Sequence, residues 1–304
     1  MVWDTIHGRD PAQAAIEEWG GIAYALAGFD AALDDEWRLV PLIKVGRDLA
    51  PRAAAFLRDV RHAVPGARFL EVPELNNRVT LRYLSAERRC EQLTGGVPGW
   101  TWPELGPLVS DLDALYVNFI SGWEMSLETA ELLRRGFRRP IYADFHSLFL
   151  GRTDDGTRVL QPLPGADSWF ACFDTVQLNE DEFAQLGADP MAAAAASLAA
   201  GCSTLIVTLG VRGAVYFRQE GTALAPGGTR PIRTARLAAD ATASAGADPT
   251  GCGDVFGSVT CSALLRGMAL EEAIQTGGRM AARNLAHRGA TGLRDHLLGR
   301  LATA

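Results

Sequence analysis

The residues with the clearest chemical potential are Asp248-Pro249-Thr250-Gly251-Cys252-Gly253-Asp254. This stretch cannot be regular helix or strand, because Pro249 fixes its own φ and pushes Asp248 towards an extended conformation. Gly251 and Gly253 admit backbone angles and close approaches that side chains forbid. The next residues are helical in pattern. Val255, Phe256, Val259, Ala263 and Leu264 fall on one face, and Gly267 stands where a C-terminal glycine cap belongs. A turn that opens into a helix leaves backbone N–H groups without intrahelical partners, and the helix dipole adds partial positive charge there. The amides of Gly251, Cys252 and Gly253 would line one concavity suited to an anion, most simply a phosphate. Asp254 at its rim would take a proton from a hydroxyl while the amides hold the phosphate that the hydroxyl attacks. The plainer alternative is an Asp-capped helix start with glycines for a tight turn.

The stretch resembles the second signature of the ribokinase-like (PfkB) carbohydrate kinases, D-x-T-G-A/C-G-D followed by an apolar helix. The resemblance implies that Asp254 is the catalytic base and that the amides of Gly251, Cys252 and Gly253 form the anion hole. Three further segments resemble family motifs, in the family's order. Gly20-Gly21 opens a helical pattern of Ile22, Leu26, Phe29 and Leu33 and is similar to G-G-x-x-x-N-x-A. Ala25 stands where that motif has Asn, so one polar contact to the acceptor is missing or comes from elsewhere, Tyr24 being the nearest candidate. Asn179 and Glu182, one helical turn apart, resemble N-x-x-E, in which the Glu orders the water shell of Mg²⁺ and the Asn contacts phosphate. Without the resemblance, the same residues read as an acidic first turn favoured by the dipole. Thr208-Leu209-Gly210 with Gly213 resembles the segment that binds the nucleotide's ribose and phosphates.

The resemblance implies more. Asp4, Gly20, Gly21 and Glu124 would meet the acceptor, although Glu124 reads equally as a solvated helix-start residue. Asp248 becomes the side-chain neighbour of a monovalent cation such as K⁺. Gly278, beside Gly277 in the last long helix, would let an adenine ring lie against it, or else serve close helix packing. The expected fold is α/β: a ribokinase-like three-layer α/β/α arrangement with a mostly parallel central sheet and a small β lid. One domain is expected over 1–304, with the lid contributed by about 5–19 and 68–100. The expected activity is ATP-dependent transfer of the γ-phosphoryl group to a hydroxyl of a small sugar or nucleoside-like acceptor, with Mg²⁺. The alternative is a non-catalytic sensor of sugars or nucleotides on the same fold.

These residues need elements to hold them. Met1–Thr5 reads as the end of a strand, with Asp4 where the strand gives way. Leu39–Val45 reads as a strand in which Pro41 removes a ladder donor. A helix is expected around 50–62, strands at 69–72 and 79–84, and loop with short elements over 85–110. From residue 115 the pattern becomes strand–helix alternation, the mark of a parallel sheet with crossover helices. Leu115–Ile120, Ile141–Asp144, Thr175–Leu178 and Leu205–Leu209 are its strands, and Ser126 is the N-cap of a helix reaching Phe137. His146, with no second ligand beside it in sequence, reads as structural. Hairpin strands are expected at 214–217 and 222–225, then loop over 226–247 and a helix over 270–288.

Composition bounds the partners. Lys plus Arg is 29 and Asp plus Glu is 36 in 304 residues, a net charge of −7. That balance disfavours nucleic acid unless basic residues cluster. Arg134, Arg135, Arg138 and Arg139 do cluster, at an expected helix end where cations suit the dipole. Five cysteines without C-x-x-C suggest neither a zinc ribbon nor a disulfide framework, and fit a reducing, cytoplasmic setting. The N-terminus lacks a signal-peptide pattern, and no apolar run approaches a membrane span. A small-molecule acceptor is the expected partner, with a homodimer through the lid by analogy. G-x-x-x-x-G-K-[ST], G-x-S-x-G and H-E-x-x-H are absent, as is an early G-x-G-x-x-G.

Overall fold

The computed structural model describes residues 1–8, 14–83, 89–221, 230–239 and 248–300. The chain divides into two compact units, one of Met1–Pro98, Gly151–Val159 and Ala241–Ala304, the other of Gly99–Leu150 and Leu160–Asp240.

In the first unit the chain begins with β1 (Val2–His7), β2 (Ile16–Gly20) and α1 (Ile22–Ala32), followed by β3 (Lys44–Gly46) and α2 (Ala50–Arg58). β4 (Leu70–Val72), β5 (Arg78–Tyr83) and β6 (Arg89–Thr94) come next. Four of these strands form a sheet in the order β2-β1-β5-β6, and β3 pairs with β4. The four-stranded sheet draws on the two stretches expected to form the small sheet, apart from residues that lie outside the described ones. β1 runs on to His7, so Asp4 sits mid-strand, opposite Glu18 and Val79, and not at a strand end as expected. Of the expected strand Leu39–Val45, only its last residues are strand. Leu39 makes an isolated bridge to Ala63, and Pro41 lies between with no N–H to give.

The second unit holds α3 (Trp102–Val109), β7 (Leu115–Asn118), α4 (Leu127–Gly136) and β8 (Ile141–Asp144). α3 replaces part of the loop expected over 85–110, as β6 does. It begins with a capping box between Thr101 and Glu104. β9 (Leu150–Arg152) and β10 (Arg158–Leu160), which pair with each other, lie largely in Gly151–Val159, a segment of the first unit; the second unit resumes at Leu160. The unit continues through α5 (Ala166–Phe170), β11 (Thr175–Asn179), α6 (Glu180–Ala184), α7 (Pro190–Ala200), β12 (Thr204–Thr208), β13 (Ala214–Gln219) and β14 (Ile232–Leu237). Its sheet has the order β14-β13-β12-β11-β8-β7, parallel from β7 to β12 and antiparallel from β12 to β14. β13 thus pairs with β14; the expected strand at 222–225 lies outside the described residues. Phe119, Phe145, Trp169, Phe170 and Phe173 pack one aromatic core. Ser126 caps α4 by accepting the Thr129 amide, and Arg134 returns to the carbonyls of Phe137 and Arg139, as a helix-end cation should.

The first unit closes with α8 (Cys252–Leu265), α9 (Leu270–Asn284) and α10 (Leu293–Leu297). Trp3, Trp19, Tyr24, Leu26, Val255, Val259, Leu293 and Leu297 share one core, in which Trp3 and Trp19 meet edge to face at 5.0 Å. α9 runs unbroken through Gly277 and Gly278 and ends at Asn284, short of the expected 288.

Candidate active site

The turn before α8 is the first candidate, and its backbone accounting decides what it can bind. Thr250 N donates to Asp248 Oδ1 at 2.9 Å, which fixes the buried Asp248 carboxylate as a turn-former. Cys252 N donates to Pro249 O at 3.1 Å, so this amide is spent on the turn and does not join its neighbours in an anion cradle as expected. The Gly251 amide has no partner among the described residues. Gly251 adopts φ 76°, a left-handed conformation that favours glycine. Asp254 lies half-buried in the first turn of α8. α9 braces the turn from behind: Asn284 Nδ2 donates to Thr250 O at 2.8 Å, and Cys252 Sγ lies 3.4 Å from Ala281 O.

Tyr24 in α1 faces this turn. A Cβ at Gly251 would fall 2.1 Å from Tyr24 Cδ1, so the ring fills the place of a side chain there. The phenol is 1% exposed. Burial first, then the carboxylates of Asp4, Asp248 and Asp254, push its pKa well above the usual tyrosine value, against a hydrogen bond from the Gly289 backbone. Three of the expected site carboxylates therefore bear on one neutral phenol. Tyr24 was legible only as a stand-in for the Asn missing at Ala25.

Asp4 is buried in β1, and β2 ends against it. A Cβ at Gly20 would lie 1.9 Å from Asp4 Oδ2. Gly21, at φ 56°, is the N-cap of α1. The glycine pair thus lets a backbone approach a buried carboxylate.

In the second unit, Asn179 and Glu182 form a capping box at the start of α6. Asn179 Oδ1 accepts the Glu182 amide at 2.9 Å and Glu182 Oε2 accepts the Asn179 amide at 2.8 Å. Glu182 Oε1 also takes Asn179 Nδ2 at 2.5 Å and lies 2.5 Å from His146 Nδ1. His146 thus has a carboxylate partner that its sequence neighbourhood does not reveal. Among the described residues no group of three or more His, Cys, Asp or Glu is set to hold a metal ion. A hard oxygen donor such as Glu182 suits Mg²⁺ acting through water, and Oε2 keeps one acceptor position. Thr208 ends β12 with Oγ1 donating to Leu178 O at 3.3 Å. Gly210 and Gly213, at φ 58° and 93°, bound the short turn after it, and Leu209 N donates to Gly213 O at 2.8 Å. Glu124 turns back onto its own loop. Its oxygens accept the amides of Ile120, Ser121 and Gly122 at 3.0, 2.5 and 3.0 Å, stapling the turn after β7. Gly278 opens onto unfilled space, whereas Gly277 presses on α8.

Residues 157–296 match the model of the pfkB family carbohydrate kinases. No curated protein matches the chain in sequence. Solved structures do match. One is a pyrophosphate-dependent kinase in the ribokinase family complexed with a pyrophosphate analog and myo-inositol, at TM-score 0.75 and 17% identity over 99% of this chain and 97% of that one. Another is ribokinase from Arabidopsis thaliana with ribose and ATP, at 0.67 and 17% over 98% and 95%. A third is a nucleoside kinase from Burkholderia thailandensis with inosine, at 0.68 and 18% over 98% and 94%. At these identities the likeness shows the fold, which is that of the ribokinases.

Proposed function

We propose that this chain, a PfkB-type carbohydrate kinase by family match and fold and hence a phosphotransferase acting on a hydroxyl group, takes its phosphoryl group from ATP and gives it to a small sugar or nucleoside-like acceptor. The observation that carries the reading is the turn at α8: a left-handed Gly251 with an unspent amide, and three residues on the half-buried Asp254. An amide at a helix mouth stabilises charge on a transferring phosphoryl group, and a carboxylate beside it removes the acceptor's proton. Asp4, pressed against Gly20, is assigned to the acceptor's hydroxyls. Thr208, Gly210 and Gly213 are assigned to the nucleotide, Asn179 to its phosphates and Asp248 to a monovalent cation. Mg²⁺, held through water by Glu182, would offset negative charge on the phosphates.

The donor has a second candidate. Pyrophosphate-dependent kinases are among the structures of this fold at TM-scores of 0.72 to 0.75, so pyrophosphate belongs beside ATP in any assay. The test is phosphoryl transfer from each donor to a panel of sugars, polyols and nucleosides, for the wild type and Asp254→Asn. Removing a general base costs about 10²–10⁴-fold. Turnover should fall at least ~10²-fold with the melting temperature unchanged, and near-normal turnover in the variant would overturn the assignment of the base.

A further inference from the structure

Beside α2 lies a groove of about 680 Å³, a size that suits one small molecule. None of its lining residues belongs to the candidate active site. Leu57, Val60 and Phe69 are among its apolar lining residues, and the exposed Arg58, Arg61 and Arg68 line it as well. Several other arginines are ion-paired, among them Arg78 to Asp48, Arg134 to Asp174, Arg266 to Asp34 and Arg294 to Asp30. Arg58, Arg61 and Arg68 have no carboxylate partner among the described residues, in a chain whose acidic residues outnumber its basic ones. Such forks match phosphate oxygens two at a time. Arg58 closes α2, so its charge also offsets the negative end of that helix dipole.

The wall is built before any ligand arrives. The buried Asp30 carboxylate accepts the Arg61 amide at 3.1 Å and the His62 amide at 2.8 Å. It also lies 2.8 Å from His62 Nδ1 and 3.0 Å from Arg294 Nε. Val64 N donates to Leu39 O and Ala67 N to Val64 O, each at 2.9 Å. A braced wall loses little entropy on binding. Glu71 also lines the groove and likewise has no partner among the described residues. It would repel a bare polyphosphate but accept hydroxyls.

We propose that this groove binds a small phosphate ester that also carries hydroxyl groups, with Arg58, Arg61 and Arg68 on its phosphate and Glu71 on its hydroxyls. α1 links the groove to the candidate active site, since Asp30 braces the groove and Tyr24 of the same helix meets Gly251.

The probe is glucose 1,6-bisphosphate, titrated calorimetrically into the full chain at low salt. Saturable one-to-one binding in the micromolar range is expected, weakening as salt rises. Arg61→Ala and Arg68→Ala should each weaken it by about tenfold or more, the usual worth of a charged hydrogen bond. Turnover without the ligand should be unchanged in both. Arg61→Gln and Arg68→Gln, which keep most of the side-chain volume, should repeat the loss if it comes from charge. No binding at millimolar ligand would overturn the proposal, as would binding that survives both substitutions and so lies elsewhere.

Discussion

The ring of Tyr24 occupies the space that a side chain at Gly251 would need: a Cβ on Gly251 would fall 2.1 Å from Tyr24 Cδ1 and 2.3 Å from Cγ. The glycine of the turn before α8 is therefore specified twice, by its φ of 76° and by the ring packed on it. Gly251→Ala should cost about 2–4 kcal/mol, combining a left-handed alanine with overpacking, and should abolish turnover by moving the amide. Trimming the ring removes one of the two causes. In Tyr24→Ala the same Gly251→Ala change should cost less, and a double-mutant cycle on unfolding free energies reads the coupling. Strictly additive costs would show that ring and glycine do not press on each other.

The same ring predicts a pH effect. Burial and the carboxylates of Asp4, Asp248 and Asp254 raise the Tyr24 pKa above its ordinary value of 10.0. A raised pKa means that the folded state keeps its proton when the unfolded chain has lost it. The stability this confers is full below pH 10 and declines as pH rises beyond it, with a slope approaching about 1.4 kcal/mol per pH unit. Tyr24→Phe should remove that share of the slope, as measured by denaturant unfolding at a series of pH values above 10. Wild type and variant declining in parallel would count against it.

Gly277 and Gly278 are neighbours with opposite surroundings. A Cβ at Gly277 would lie 2.2 Å from Thr260 Oγ1 and 2.7 Å from Phe256 O, while one at Gly278 would meet nothing within 4 Å. Gly277→Ala should destabilise by about 1–3 kcal/mol through overpacking between α8 and α9. Gly278→Ala should stabilise by about 0.5–1 kcal/mol, since alanine favours helix. If an adenine ring lies on that open face, Gly278→Ala should also raise the KM for ATP without lowering kcat. An unchanged KM would remove Gly278 from the nucleotide's contacts.

What could be read in advance follows from the range of the interactions. The turn and helix at 248–265 were legible because proline, glycine and apolar spacing act within a few residues. So were β7, β8, β11 and β12, whose apolar runs are bounded by turn residues. The full length of β1 was not legible, because its partners, β2 and β5, are set by pairing with more distant segments. α3 was legible in principle, since Thr101 and Glu104 are spaced as a capping box, but Trp and Pro around them masked the period. The partners of Tyr24, Glu124 and His146 were not legible. Each depends on a tertiary contact or on which way a carboxylate turns, and local sequence carries neither.

Asp30 offers a test of the framework under α1. Its carboxylate is 2% exposed and gathers the amides of Arg61 and His62, the His62 ring and the Arg294 guanidinium. Removing the Asp30 carboxylate leaves the amides of Arg61 and His62 without that acceptor and the half-buried Arg294 with Asp295 as its remaining carboxylate. Asp30→Ala should therefore destabilise by about 3–5 kcal/mol. Asp30→Asn keeps an acceptor oxygen and should cost less. Replacing both Asp30 and Arg294 with apolar residues of similar volume should recover much of the loss, because no guanidinium then stands without the Asp30 carboxylate. Denaturant melts of the three variants order these costs. Equal destabilisation by Asp30→Ala and by the double replacement would show that packing volume, not the lost ion pair, sets the penalty.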